Sequence, residues 1–157
     1  MLANDVGVTP KEAKAYIENY LEKYSGVRKY MTDIVKSAKE LGYVSTLFGR
    51  RRYLPELKSH NFNTRSFGER VALNMPIQGT AADIMKIAMI NVSRRLSAEG
   101  LKARLILQVH DELIVECPEN EADDVSVLLR EEMENAAKLS VPLVTETNVG
   151  KSWFDCK

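Results

Sequence analysis

Cysteine and histidine are scarce in this chain of 157 residues, two of each, and that scarcity removes whole classes of chemistry. Cys117 and Cys156 form no CxxC pair, and no His/Cys set has zinc spacing, so neither a redox dithiol nor a structural zinc site is encoded. The same thiol usage fits a reducing, cytoplasmic compartment. An excess of one charge is lacking too. With 22 Lys+Arg against 22 Asp+Glu, the chain as a whole does not attract polyanions, and any such site must come from local clustering. No apolar run approaches the roughly 20 residues of a membrane span, and no secretory h-region is visible, so no membrane partner is expected. Asn91-Val92-Ser93 matches a glycosylation sequon inside a helical pattern and is discounted. Gly150-Lys151-Ser152 matches the end of a phosphate loop, but Thr145 stands where that loop needs glycine. There is no nucleophile elbow.

What is present is the composition of one soluble domain, or a piece of one, at 45% hydrophobic and 28% charged. Thr9-Pro10-Lys11-Glu12 is a capping box with proline at the first helical position. Ala13, Tyr16, Ile17, Tyr20, Leu21 and Tyr24 follow at helical spacing. Gly26 punctuates; Val27, Tyr30, Met31, Ile34, Val35 and Ala38 then repeat the pattern up to a stop at Gly42. Tyr43 to Leu54 reads as a short extended pair around Phe48-Gly49-Arg50, ended by Pro55. A long helical pattern runs from Ser66 to about Leu96, and Pro76 inside it predicts a kink or restart. After Gly100, two β-rich runs, Arg104 to Val109 and Leu113 to Cys117, precede a helix capped by Asn120, with Ala122, Val125, Leu129, Met133 and Ala136 on its buried stripe. Leu143 to Val149 is a third strand candidate. Helices early and strands late predict an α+β fold with a small antiparallel sheet.

The stretch "QVHDELIVE", Gln108 to Glu116, joins the β-rich runs. Leu105, Leu107 and Val109 alternate on one side, and Leu113, Val115 and Cys117 on the other, which predicts a hairpin with one packed face. Its turn falls on His110-Asp111-Glu112, where neither glycine nor asparagine relaxes the backbone. Adjacent carboxylates at a tight turn repel each other. A divalent cation relieves this, and Mg²⁺ is suited to a site with one or two protein carboxylates completed by water and phosphate. A solvated acidic turn is the competing reading, and His110 alone is as readily a structural hydrogen-bonding group.

Arg70, Asn74 and Gln78 stand at i, i+4 and i+8, one polar stripe along a continuous helix. Arginine and neutral amides suit a DNA minor groove, whose acceptors lie in nearly the same places for every base pair. Taken singly, Arg70 also reads as a solvated or paired charge, and the amides as caps around Pro76. Arg50-Arg51-Arg52 concentrates positive charge and suits phosphate contacts; solvation or intramolecular ion pairing accounts for it equally.

Together, "LFGRRRYLP" from Leu47, "ERVALNMPIQGTAADIMKIAMI" from Glu69, "QVHDELIVE" and the ending "NVGKSWFD" resemble the family A DNA polymerases of bacterial type, in the same order and across essentially the whole chain. The resemblance implies a palm-type antiparallel sheet whose hairpin carries His-Asp-Glu, packed by several helices. Residues 1–100 would be a mainly helical fingers-base and palm segment, and residues 101–157 the palm hairpin, a helix and the last strand. It assigns Asp111 to metal binding and catalysis, Glu112 to a supporting catalytic role, and His110 to the neighbourhood of the primer-terminal base pair. Arg70, Asn74 and Gln78 become DNA contacts, and for the Arg50, Arg51, Arg52 cluster the resemblance favours DNA contact or intramolecular anchoring without saying which arginine does it. The implied partners are primer-template DNA and deoxynucleoside triphosphates, with a two-metal Mg²⁺ site that this chain supplies only in part.

Two family features are not found: a second metal-binding aspartate on an upstream palm strand, and the fingers helix that holds the incoming nucleotide. The start, "MLANDVGVTPKEA", resembles the stretch just after that helix. The chain therefore reads as the C-terminal part of a polymerase, inactive alone, whose partner is the upstream part and whose uncovered apolar faces favour self-association. The alternatives are a non-catalytic DNA-binding or accessory module, and a truncated product without function of its own.

Overall fold

The computed structural model describes residues 6–156 and has an α+β architecture. Helix α1 (Pro10–Lys23) begins on the capping box. The Thr9 hydroxyl accepts from the Glu12 amide at 3.3 Å, and the Glu12 carboxylate accepts the Thr9 amide at 2.9 Å and its hydroxyl at 2.7 Å. Helix α2 (Ser25–Leu41) follows at once, because the break falls on Tyr24 (φ −105°, ψ 62°) and Gly26 lies inside the second helix rather than between the two. At Gly42, φ 80° lets the chain turn left-handed while its N–H reaches the Ala38 carbonyl. Of the apolar stripe expected on α1, only Ala13 is buried; Tyr16, Ile17, Tyr20 and Tyr24 are exposed.

β1 (Tyr43–Ser45) and β2 (Arg51–Tyr53) pair antiparallel, with Tyr43 opposite Tyr53. A 3-10 turn at Pro55–Lys58 leads to helix α3 (Phe62–Ala98). This helix starts a turn earlier than the apolar pattern indicates. The Asn61 side-chain oxygen accepts the amides of Asn63 at 2.8 Å and Thr64 at 3.3 Å, which places the cap there. It also passes Pro76 without a restart. The chain divides into two compact units between Gly79 and Thr80, inside α3. In the first unit, Ala38, Val44, Leu54, Leu57 and Ala72 form the core, flanked by Ile34, Val35, Val71 and Met75.

In the second unit, β3 (Arg104–Val109) and β4 (Glu112–Glu116) form an antiparallel hairpin. A bulge at Ile106 breaks its register, so Leu105 faces Val115 whereas Leu107 faces Ile114. The alternation expected of Leu105, Leu107 and Val109 therefore fails: Leu107 is exposed and the packed face comes from Leu113 and Val115. These lie against Val92, Leu96, Ala103, Val125 and Leu128. Helix α4 (Ala122–Glu134) follows a 3-10 turn at Glu119–Glu121 that absorbs Asn120, so Asn120 is not its cap. The Glu121 carboxylate instead accepts the Lys102 and Ala103 amides, at 3.0 and 3.1 Å, tying the start of the hairpin to the start of α4.

Ala136 is buried just beyond the end of α4. The third strand candidate does not form a strand among the described residues. Leu143, Thr145 and Thr147 are half-buried and alternate with exposed Val144 and Glu146, and the Thr145 amide and hydroxyl donate to the Glu134 carboxylate at 3.0 and 3.4 Å.

Candidate functional site

Because α3 is continuous, Arg70, Asn74 and Gln78 stay on one exposed stripe, each about 40° round the helix from the last. Arg70 donates to the Ser66 hydroxyl at 3.3 Å, with its guanidinium 6.0 Å from the Phe67 ring centre. Ile77 is 63% exposed beside the amides, so this face of α3 is not closed off within its unit.

The three arginines behave differently although they are consecutive. Arg50 is exposed yet bonded back to helix α3: its guanidinium donates to the Gly79 carbonyl at 3.0 Å, and its amide donates to the Thr46 hydroxyl at 3.2 Å. Gly79 permits this approach because a side chain there would meet Thr46 Cγ2 at 2.8 Å. Arg51 lies over the Tyr43 ring, 4.6 Å from its centre, and Tyr43 meets Tyr53 edge-on at 5.7 Å. Arg52 is 3.8 Å from Glu56, a loose ion pair. All three arginines are exposed.

At the hairpin, Val109 pairs with Glu112, so only His110 and Asp111 form the turn and Glu112 opens β4. His110 has φ 51°, the only positive φ of a non-glycine among the described residues. Its carbonyl accepts from the Gln108 side-chain amide at 2.7 Å. His110, Asp111 and Glu112 are all exposed, so the carboxylates face solvent at the tip of the hairpin. No group of three His, Cys, Asp or Glu side chains able to hold a metal occurs among the described residues. The donor set that this chain offers a cation is thus the acidic pair at the turn. Sequence reasoning passed over Gln108, although an amide two residues before a turn lacking glycine is a readable signal.

A family model described as DNA polymerase family A matches residues 1–155. The chain belongs to DNA polymerase family A. It is 50% identical over 156 residues to DNA polymerase I of Lactococcus lactis subsp. lactis (strain IL1403) and 54% identical over 156 residues to DNA polymerase I of Bacillus subtilis (strain 168). In both cases 99% of this chain is aligned to 18% of the relative, so the chain spans about a fifth of the length of these family A proteins. Among solved structures, it superposes on the POL domain of Pol1 from M. smegmatis, in complex with DNA primer-template and dNTP. The TM-score is 0.95 at 48% identity, over 99% of this chain and 27% of that one. Family A DNA polymerases use metal ions. No helix among the described residues is long and apolar enough to cross a membrane.

Proposed function

We propose that this chain forms part of a DNA-directed DNA polymerase of replication and repair, carrying the hairpin half of the nucleotidyl-transfer site and much of the surface that holds primer-template DNA. The observation that best supports this reading is the hairpin tip. A turn that holds a histidine left-handed, and keeps adjacent carboxylates exposed, maintains a conformation that glycine would adopt without strain. Such strain is reasonable where a side chain must be aimed.

Asp111 is the metal ligand, and Glu112 supports it from the start of β4. The exposed oxygen donors fit Mg²⁺, which takes few protein carboxylates and completes its shell with water and phosphate. When bound, Mg²⁺ supplies activation of the primer 3′ hydroxyl and charge neutralisation on the incoming phosphates. The remaining ligands come from the upstream part of the polymerase, which the chain's share of its relatives implies. His110 sits by the primer-terminal pair. Arg70, Asn74 and Gln78 track the minor groove, checking pair shape without reading sequence. Arg51 and Arg52 hold backbone phosphate, while Arg50 anchors their hairpin to α3. Residues 1–100 serve as fingers base and palm, and residues 101–157 as palm hairpin, helix and final segment.

Asp111→Asn in the complete polymerase tests this reading, since the amide keeps the shape but loses the charge. Incorporation is expected to vanish with duplex binding nearly unchanged; incorporation within about tenfold of the parent excludes the assignment. A non-catalytic DNA-binding module is the second reading, favoured by the groove stripe and arginines lying on a unit without the hairpin carboxylates. Tight, salt-dependent duplex binding by this chain, with no contribution to synthesis beside the upstream part, would support it.

A further inference from the structure

Gln108 has no place in the roles above, yet its side-chain amide hydrogen-bonds the hairpin tip. The turn has only two central residues, and its first, His110, is left-handed. Hairpin turns with φ > 0 at that position alone usually place glycine there. A histidine held so is strained and persists only when its surroundings enforce it. The Gln108 amide donates to the His110 carbonyl at 2.7 Å, while the Gln108 backbone is itself held in the ladder opposite Leu113. That carbonyl belongs to the peptide that enters Asp111, so its plane sets the starting direction of the Asp111 side chain.

We propose that Gln108 is a positioning residue, whose amide locks the His110–Asp111 peptide in the left-handed turn and thereby aims the Asp111 carboxylate at the metal and primer terminus. This rests on the reading of Asp111 as metal ligand. The hydrogen bond is exposed, so its loss leaves the hairpin folded and changes the turn instead. A carboxylate displaced by about 1 Å loses about a hundredfold in rate, which sets the upper bound on the effect.

The test is a mutant cycle in the complete polymerase. Gln108→Met keeps the bulk and removes the donor; His110→Gly adopts φ > 0 without help. Single-turnover incorporation in Mg²⁺ is expected to fall about tenfold in Q108M with duplex binding unchanged, and the same change in the H110G background should cost under about twofold. An independent readout needs no metal. With ¹⁵N-histidine, this chain shows the amides of His60 and His110, and Q108M should move the His110 resonance and leave that of His60 in place. If Q108M matches the parent while D111N is inactive, the positioning role falls and the metal-ligand reading stands. Equal losses in both backgrounds, or an unmoved His110 amide, also overturn it. If D111N remains active, the reading underneath fails first.

Discussion

Arg50 donates its guanidinium to the carbonyl oxygen of Gly79 at 3.0 Å, so the basic hairpin and helix α3 are joined through the first arginine of three. The helix can accept this bond where residue 79 carries no side chain, because a Cβ there would lie 2.8 Å from Thr46 Cγ2 and 3.4 Å from the Arg50 guanidinium. Gly79→Ala should therefore lower stability by about 1–3 kcal/mol through overpacking, with the deficit visible as a lower denaturation midpoint and an unchanged slope. A neutral or stabilising result would mean that the hairpin shifts without cost.

Arg51 and Arg52 should separate from Arg50 in their salt dependence. In the complete polymerase, Arg51→Ala and Arg52→Ala should each reduce the slope of log K against log salt by about 1, as loss of a phosphate contact does. Arg50→Ala should leave the slope near the parent's and lower thermal stability instead, since its guanidinium is spent on Gly79. Filter-binding at several salt concentrations checks both.

Asn74→Ala and Gln78→Ala should mainly slow extension from the primer terminus, each removing the groove hydrogen bond proposed for it, worth about 1 kcal/mol or more, with the salt slope kept. A Gln78 variant altered only in salt slope would move that residue from groove to phosphate.

Asn61→Ala removes the acceptor that holds the Asn63 and Thr64 amides at the start of α3. The expected loss is about 1 kcal/mol, measured by denaturant unfolding, with Asn61→Asp close to the parent. Equal stability of the alanine variant would show that the cap is not needed.

Acid should fray helix α1 through Glu12. Its hydrogen bonds to the Thr9 hydroxyl and amide hold its carboxyl below the ordinary glutamate value in the folded chain. A depressed folded value means that the contribution is complete above the ordinary glutamate range and disappears as pH falls through the folded value. Glu12→Gln should flatten this response in amide exchange of the first turn, and an unaltered acid profile in that variant would assign the fraying elsewhere.

This chain alone should show no templated synthesis with Mg²⁺, primer-template and all deoxynucleoside triphosphates, because positioning by the upstream part is absent. Adding a separately produced upstream part should restore some synthesis. Robust synthesis by the pure chain that is lost on Asp111→Asn would refute the partial-site reading. In the same preparation, exposed Tyr20, Tyr24, Val27 and Met31 should drive concentration-dependent self-association seen by sedimentation.

The elements legible in the sequence are those whose determinants lie within a few residues of one another. The Thr9/Glu12 box, the Gly42 stop and the Val109–Leu113 reversal each needed only local hydrogen bonding and alternation, and the carboxylates at the turn could be named from the same stretch. Spacing likewise placed Arg70, Asn74 and Gln78 on one stripe, although it could not decide whether Pro76 would break it. Tertiary structure decided what depends on distant atoms. Whether Arg50 or its neighbours would bond to α3 required the approach of Gly79, and whether the α1 stripe was buried required a neighbour to cover it. Residues 143–149 show the limit most clearly. Their inward and outward alternation is present, but a strand exists only when another backbone accepts and donates along its edge, and alternation in one segment carries no information about whether that partner is there.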